Sequence, residues 1–291
     1  MRKSNEIEFA AGQRLDKALA DAYTQYSRAY LARLIDAGTV LVNGKPMKAG
    51  WKLRENDQVV VTVDLSIEQT VEDIDIPIIF EDDNVVVIDK PEGVISHSRG
   101  KYWYEPSVAS FIRTRQSDKT AEATGRAGIV HRLDRATSGV MICAKNDDTL
   151  SYLQKQFQDR KVTKTYQAVV SGTMKLPEAI IDMPIERNPK TPATFRVGAN
   201  GKASQTHYIV SLEGPKHSLL VLTPRTGRTH QLRVHLQKQG HPIVGDHLYG
   251  GEPAERLMLH AHELTLYLPG GILTTFTSPV PKLFKQITSA K

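Results

Sequence analysis

The chain has 291 residues, 40% of them hydrophobic, and a formal net charge of +6. That is enough sequence for one large domain or two unequal ones with a proper core. No apolar run approaches the length of a membrane span, and the start MRKSNEIEFAAG gives no sign of a signal peptide, so we expect a cytoplasmic protein. The single cysteine, Cys143, excludes disulfides within the chain and cysteine-rich zinc sites. Its apolar strand context predicts a core residue.

The charge is unevenly distributed. Residues 1–63 hold 10 Lys/Arg and 7 Asp/Glu, residues 64–83 hold 8 Asp/Glu and no Lys or Arg, and the rest of the chain carries a net +11. An acidic connector between two basic blocks is typical of a protein that binds a polyanion, although charge runs also occur on ordinary solvated faces. Nucleic acid is therefore a candidate partner.

Residues 14–35 predict two short helices, with Ser27 as the N-cap of the second and Gly38 after its end. Two β-branched runs follow, residues 39–42 and 59–63, separated by the turn Asn43-Gly44-Lys45-Pro46. The expected apolar helix faces are Leu15, Ala18 and Leu19, then Tyr30, Leu31, Leu34 and Ile35.

The succession RLDKAL, SRAYLARLIDAGTVLVNGK and LRENDQVVV resembles an S4 RNA-binding domain over residues 13–63. This resemblance implies that basic helix residues contact folded RNA. The alternative is that they form only the solvated faces of small helices. The residues concerned are Arg14, Lys17, Arg28, Arg33 and Lys45.

Beyond an acidic linker at residues 64–77, residues 85–90 predict a buried strand that runs into the turn KPEG. Residues 99–128 are polar, basic and rich in turn formers, which indicates a helix followed by a mobile loop that becomes ordered on RNA. Residues 147–160 predict a helix with Leu150, Leu153 and Phe157 on one face.

The most informative stretch is HRLDRATSG, residues 131–139, before an apolar strand. Its carboxylate, Asp134, lies between Arg132 and Arg135, and opposite charge keeps a carboxylate ionised. An ionised carboxylate on a loop suits a nucleophile or base better than an acid. The same residue types also build turns and helix caps, so the segment alone leaves both interpretations open.

HRLDxxTSG followed by an apolar strand and Lys145 resembles the signature of the RluA-type pseudouridine synthases. In that family the aspartate of this motif, here Asp134, is the catalytic nucleophile. The strand KTYQAVVSG, residues 164–172, matches the family pattern KxYxAxVxG, which implies that Tyr166 lies in the active site. A phenol can stack on a base and also exchange a proton.

The stretch RTGRTHQLRVHL, residues 225–236, predicts a turn and a helix on which His230 and Arg233 are i, i+3 neighbours. With the later GHPIVGDHLYG and LMLHAHELTL it resembles another block of the same family, which implies that Arg233 pairs with Asp134. We expect Arg132, Arg225, Arg228 and His230 to contact substrate RNA. Arginines interleaved with the histidines oppose a bound dication, so we expect no metal.

We therefore expect an α+β protein: a small S4 domain (13–63), an acidic linker (64–77) and a pseudouridine synthase domain (78–291) with a mixed, largely antiparallel sheet. The expected reaction is isomerisation of uridines in large-subunit ribosomal RNA by a monomer without cofactor. Transfer RNA is the alternative substrate, and a noncatalytic RNA-binding protein is the alternative from another class. A kinase catalytic loop is excluded, since no Gly-rich phosphate loop or DFG accompanies HRLD.

Overall fold

The computed structural model describes residues 5–24, 26, 28–63, 65, 74–97, 105–116 and 128–290. The chain divides into two compact units, Met1–Glu72 with Ser98–Glu105, and Asp73–His97 with Pro106–Lys291. The expected N-cap Ser27, most of the acidic linker and most of the 99–128 segment lie outside the described residues.

The first unit packs two helices on a small sheet of strand order β1-β4-β2-β3. The two predicted helix faces are confirmed, since all their residues are buried except the half-buried Leu34. Burial of these apolar side chains against the sheet stabilises helices too short to persist alone. The elements are β1 (Asn5–Glu6), α1 (Leu15–Ala22), α2 (Arg28–Asp36), β2 (Val40–Val42), β3 (Lys45–Pro46) and β4 (Val59–Val61).

The turn after β2 joins a different pair of strands from the one expected. Asn43 and Gly44 have φ of 51° and 75°, as a tight hairpin turn requires, and this turn returns the chain into β3. The second β-branched run, as β4, pairs antiparallel with the other edge of β2. The sequence missed β3 because Lys45-Pro46 carries no strand signal.

The second unit is built on a sheet of nine strands in order β5-β6-β7-β14-β8-β13-β12-β9, with β15 pairing with β14. Described pairings are antiparallel except that between β7 and β14, so the predicted mixed, largely antiparallel α+β fold is confirmed. The strands are β5 (Ile78–Glu81), β6 (Val85–Lys90), β7 (Ser138–Ala144), β8 (Thr163–Ser171), β9 (Glu178–Asp182), β12 (Gln205–Glu213), β13 (His217–Pro224), β14 (Leu259–Tyr267) and β15 (Leu273–Thr277); β10 (Ile185–Arg187) and β11 (Phe195–Val197) form a separate pair.

The parallel contact between β7 and β14 depends on a glycine. Gly139 pairs with Ala261 and has φ of 117°, and a Cβ there would lie 2.1 Å from the Ala261 carbonyl oxygen. Only glycine tolerates both the backbone conformation and this approach. The glycine that ends HRLDxxTSG therefore seats β7, and with it the preceding loop, in the centre of the sheet.

Helices cover the sheet and its ends. The predicted helix at 147–160 is confirmed, although it ends at Gln158 and Arg160 already has a left-handed φ of 58°. Cys143 is buried in β7, as expected. Within the described residues, no helix has the length and apolar character needed to cross a membrane. The helices are α3 (Val108–Arg113), α4 (Asp147–Gln158), α5 (Gln231–Lys238) and α6 (Lys282–Ser289).

Candidate active site

The HRLD loop is anchored by its histidine. His131 Nε2 accepts a hydrogen bond from the backbone N–H of Ile142 in β7 at 3.1 Å, and its ring stacks on Phe157 of α4 with centroids 4.7 Å apart. Burial, and next the charge of Lys164, lower the pKa of His131 to about 3. The ring is therefore neutral, as an acceptor nitrogen requires, and its role is to hold the loop.

The KPEG turn fastens the other side of this loop. The fully buried Lys90 donates from Nζ to the carbonyls of Pro91 at 2.7 Å and Val94 at 2.8 Å, with a longer contact of 3.4 Å to that of Arg135. The N–H of Gly93 donates to the same Arg135 carbonyl at 2.8 Å. Burial lowers the pKa of Lys90 to about 7. The backbone on both sides of Asp134 is thus held by buried groups.

Asp134 itself remains open. Its Oδ2 lies 3.7 Å from Arg233 Nη1 and 3.8 Å from His230 Nε2, distances at which charges attract but no hydrogen bond forms. Its side chain is 19% exposed and lines a cavity of about 110 Å³ together with Tyr166 and Thr137. Among the described residues, none hydrogen-bonds to this carboxylate, so its oxygens are available to a ligand.

Arg233 is held by a different acid from the one expected. Its Nε and Nη2 each donate to a carboxylate oxygen of Asp246 at 2.7 Å, and its guanidinium lies 5.0 Å from the ring centroid of Tyr249. Burial lowers the pKa of Arg233, but the hydrogen bond and charge of Asp246 and the charge of Asp134 raise it overall. The expected pairing with Asp134 is therefore a charge contact, while Asp246, whose side chain is fully buried, fixes the guanidinium.

Tyr166 lies on β8 and lines the same cavity as Asp134. Burial, and next the charge of Asp134, raise the pKa of this phenol well above its usual range. It therefore stays protonated near neutral pH. It can stack on a base or donate a hydrogen bond, but it is not poised to accept a proton.

His230 lies one residue before the helix on which it was expected. Helix α5 begins at Gln231, and His230 takes a left-handed backbone with φ of 57°. The residue types around His230 do not indicate this conformation, since the glycine of the turn, Gly227, lies three positions earlier. The conformation still directs the ring to the site: Nδ1 is 2.8 Å from the Tyr249 hydroxyl and Nε2 is 3.8 Å from Asp134. The pKa of His230 is lowered, and burial of the ring is the main cause.

The three arginines expected to contact RNA in this unit lie around the cavity or beside it. Arg132 and Arg228 line it, and Arg225 lines the adjoining space. Two hydrogen bonds hold Arg228 in place. Its backbone N–H donates to Gln231 Oε1 at 3.0 Å, and its side-chain Nε donates to the Ala203 carbonyl at 3.2 Å. The structure therefore brings all three side chains to the space that adjoins the cavity.

In the first unit, two of the arginines expected to contact RNA are hydrogen-bonded to an acid of the same unit. Arg14 donates from Nε and Nη2 to Asp16 at 3.1 Å, and Arg28 donates to Asp16 Oδ2 at 2.8 and 3.1 Å. Both arginines stay about half exposed, with side-chain accessibilities of 52%. They join the start of α1 to the start of α2.

The other three basic residues expected to contact RNA in that unit differ in their exposure to solvent. Arg33 is half-buried, with its guanidinium 5.7 Å from the ring centroid of Tyr30, and burial lowers its pKa. Lys17 and Lys45 are exposed. The charges presented most openly to solvent are therefore those of the two lysines.

Sequence reasoning missed Asp246, Lys90 and Lys164 as members of the site. The signals were faint: Asp246 follows a glycine in GDHLYG, Lys90 precedes a Pro/Gly turn, and Lys164 lies two residues before Tyr166 on one face of β8. Within the described residues, no cluster of three or more His, Cys, Asp or Glu is placed to hold a metal ion.

Comparisons with known proteins identify the family of the chain. The RNA pseudouridylate synthase family model matches residues 84–238, and the S4 domain model matches residues 13–59. An RNA pseudouridine synthase of Aquifex aeolicus is 37% identical over 99% of this chain and 98% of its own length. The ribosomal large subunit pseudouridine synthase D of Escherichia coli is 35% identical over 93% of this chain and 88% of its own.

A solved human structure shares the fold over much of this chain. Human RNA pseudouridylate synthase domain containing 1 superposes with a TM-score of 0.57 at 29% identity, over 70% of this chain and 83% of that one. Together with the family model, these relatives favour the enzyme over a noncatalytic RNA-binding protein. The chain belongs to the RNA pseudouridine synthase family, in the group that carries an N-terminal S4 RNA-binding domain.

Proposed function

We propose that the chain isomerises uridines of large-subunit ribosomal RNA to pseudouridine, with Asp134 as the nucleophile. The observation that carries the residue assignment is the open Asp134 carboxylate, held in a cavity by buried groups but hydrogen-bonded to none of the described residues. The substrate assignment is supported by relatives named as ribosomal large subunit pseudouridine synthase D. No comparable observation favours transfer RNA.

The reaction needs only what this cavity supplies. The C1′–N1 bond of uridine breaks, the base turns, and C5 joins C1′; C5 loses a proton and N1 gains one, so no co-reactant is consumed. Asp134 can add to the sugar, add to the base, or stabilise the cationic sugar. Arg233 places a positive charge beside Asp134, and His230 lines the cavity next to both.

Tyr166 can contact the uridine base, and Arg132 can contact the RNA strand around it. A uridine must leave its stack to reach Asp134, and a ring such as that of Tyr166 can stack on it once it is in the cavity. The exposed Arg132 can occupy the space that the uridine leaves or contact a neighbouring phosphate. Walls of buried side chains around the cavity limit the access of water to the detached base.

In the first unit, we propose that Lys17 and Lys45 contact phosphates and that Arg14, Arg28 and Arg33 also contact RNA. We also propose that the protein acts as a monomer. The bacterial ribosomal enzymes among the relatives support the cytoplasm as its location.

The test uses transcripts labelled with tritium at C5 of uridine. Purified protein should release tritium from a large-subunit ribosomal RNA transcript and not from transfer RNA, because C5 loses its hydrogen in the reaction. Chemical mapping of pseudouridine then locates the positions. Release from transfer RNA alone would overturn the substrate assignment, and release by Asp134→Asn at the wild-type rate would overturn the nucleophile.

A further inference from the structure

The buried Tyr249 contacts three parts of the candidate active site at once. Its hydroxyl oxygen lies 2.9 Å from the backbone nitrogen of Phe195 and 2.8 Å from His230 Nδ1. Its ring meets the His230 ring edge-on, with centroids 5.6 Å apart, and lies 5.0 Å from the guanidinium carbon of Arg233. Tyr249 is therefore in contact with both of the side chains that lie beside the Asp134 carboxylate.

The hydrogen bonds of the Tyr249 hydroxyl determine which atom donates to His230. The backbone N–H of Phe195 can only donate, so the Tyr249 oxygen accepts from it. The hydroxyl proton then needs an acceptor, and among the described residues His230 Nδ1 is the atom that can accept it. If Nδ1 carried the ring proton instead, a buried hydroxyl proton would have no partner, which is unfavourable. The network therefore makes Tyr249 the donor and Nδ1 the acceptor.

This direction sets the tautomer of the His230 ring. Burial lowers the pKa of His230 and raises the pKa of Tyr249, so near neutral pH the imidazole is uncharged and the phenol keeps its proton. A neutral imidazole whose Nδ1 accepts a hydrogen bond carries its proton on Nε2. Nε2 is the nitrogen that faces Asp134, at 3.8 Å from Oδ2. The ring therefore directs an N–H group towards the carboxylate.

The distance between His230 and Asp134 suits a hydrogen bond that forms when substrate enters. At 3.8 Å the two atoms are too far apart, but a shift of less than about 1 Å brings them within range. Catalytic hydrogen bonds are often long in a free enzyme and shorten in the complex with substrate. Arg233 Nη1 lies 3.7 Å from the same Oδ2, so a charged and a neutral donor both approach this oxygen. Two such donors can orient the carboxylate.

We propose that Tyr249 is a positioning residue for the isomerisation. Its hydroxyl holds His230 with the ring proton on Nε2, and this N–H hydrogen-bonds to Asp134 Oδ2 when a uridine enters the cavity and thereby orients the carboxylate. The inference rests on the proposed role of Asp134 as the nucleophile. Tyr249 does not line the cavity, whereas His230 does, so Tyr249 acts through His230 and not on the substrate itself.

The first measurement is NMR of the histidine ring nitrogens in the free protein, with isotope-labelled histidine, at about pH 8, where the ring is neutral. The His230 signals are those that disappear in His230→Asn, a substitution that suits the left-handed backbone at this position. The wild type should show a protonated Nε2 and an unprotonated Nδ1. In Tyr249→Phe the donor to Nδ1 is lost, so the ring should become a mixture of both tautomers.

The second measurement is the rate of tritium release from a transcript that the wild type modifies. Tyr249→Phe keeps the ring beside Arg233 but loses the hydroxyl, so kcat should fall about tenfold, the effect of one hydrogen bond, while KM for RNA stays within about twofold. In a His230→Asn background the same substitution should cause no further fall in kcat. Tyr208→Phe is the matched control, since this buried tyrosine lies outside the cavity and its hydroxyl is 3.4 Å from the Leu176 carbonyl oxygen. Its kcat should equal that of the wild type.

A wild-type His230 ring with its proton on Nδ1 would overturn the proposal, and this result needs no folded Tyr249 variant. An unchanged kcat in Tyr249→Phe, an equal fall in Tyr208→Phe, or the same tenfold fall in the His230→Asn background would also overturn it. The outcome is separable from that of the proposed function. Wild-type activity in Asp134→Asn refutes the proposed nucleophile and leaves the measured tautomer as it is, whereas a proton on Nδ1 in an enzyme that requires Asp134 refutes the role of Tyr249 alone.

Discussion

The tripeptide Arg-Leu-Asp occurs once in each unit, at residues 14–16 and 132–134. In both places the leucine is buried in its own unit's core and the aspartate lies near arginines. The local sequence is the same, yet the two carboxylates are in different states. Their comparison shows which features of the fold separate a structural acid from a reactive one.

Asp16 is saturated. Four hydrogen bonds from Arg14 and Arg28, at 2.8–3.1 Å, occupy its oxygens, and its residue is 6% exposed. The hydrogen bond from Arg14 is the main cause of its lowered pKa. Such a carboxylate has no oxygen free for a substrate, and its role is to join two helices.

Asp134 has its cations at a greater distance. Arg233 is drawn away by Asp246, whose two hydrogen bonds fix the guanidinium 3.7 Å from Asp134. Asp246 thus keeps the positive charge of Arg233 near Asp134, the proposed nucleophile, without a hydrogen bond between the two. We infer that the Asp134 carboxylate stays available because its nearest cation, Arg233, is already paired with Asp246.

The largest effect is expected from Asp134→Asn. The amide keeps the shape but loses the negative charge and the nucleophilic oxygen, so the rate of tritium release should fall by a factor on the order of 10³ or more. Affinity for RNA should stay within a few-fold. A rate within tenfold of the wild type would show that Asp134 is no more reactive than Asp16.

The next effect is on stability. Arg233→Met should lower the free energy of unfolding by about 3–5 kcal/mol, since it leaves the buried Asp246 without its partner. Urea unfolding measures this loss. Arg228→Met is the control, because that guanidinium contacts a backbone carbonyl and, among the described residues, no acid. If both variants are equally stable, Asp246 does not hold Arg233 as described.

A third effect concerns the anchor of the Asp134 loop. The pKa of Lys90 in the folded protein, about 7, lies below the value of about 10.4 in an unfolded chain. The unfolded state therefore binds more protons between these values, and stability from this group rises with pH across that range, by on the order of 1 kcal/mol per pH unit.

Lys90→Met should flatten this rise. Urea unfolding of the wild type and the variant at several pH values between 7 and about 10 measures the difference in slope. An identical slope in both proteins would show that the Lys90 ammonium is not the group that titrates.

Much of this molecule could be predicted from its sequence because the signals are local. The apolar faces of α1 and α2, the buried strand β7 and the helix α4 follow from periodicity. Family motifs at fixed spacing single out Asp134, Tyr166 and Arg233, which line one cavity and whose roles stay predictions. The same tripeptide at 14–16 and 132–134 shows the limit of local signals, since nothing within it distinguishes the two aspartates.

The remainder depends on contacts between distant segments. Asp246 reaches Arg233 through a loop, Lys90 reaches the carbonyl of Arg135 across 45 positions, and Lys164 joins the site through strand register. The left-handed backbone of His230 is fixed by its packing against Tyr249 and Phe195. Propensity and periodicity carry no information on such pairings.

The most direct test compares Asp16→Asn with Asp134→Asn by amide hydrogen exchange, which reports on each unit separately. Because Asp16 is saturated, its variant should lose about 1–2 kcal/mol of protection in α1, a value reduced by the solvent around its half-exposed arginines. Because no described residue hydrogen-bonds to the Asp134 carboxylate, its variant should change protection in β7 by less than about 0.5 kcal/mol. A loss in β7 as large as that in α1 would contradict the account, since Asp134 would then be a structural acid like Asp16.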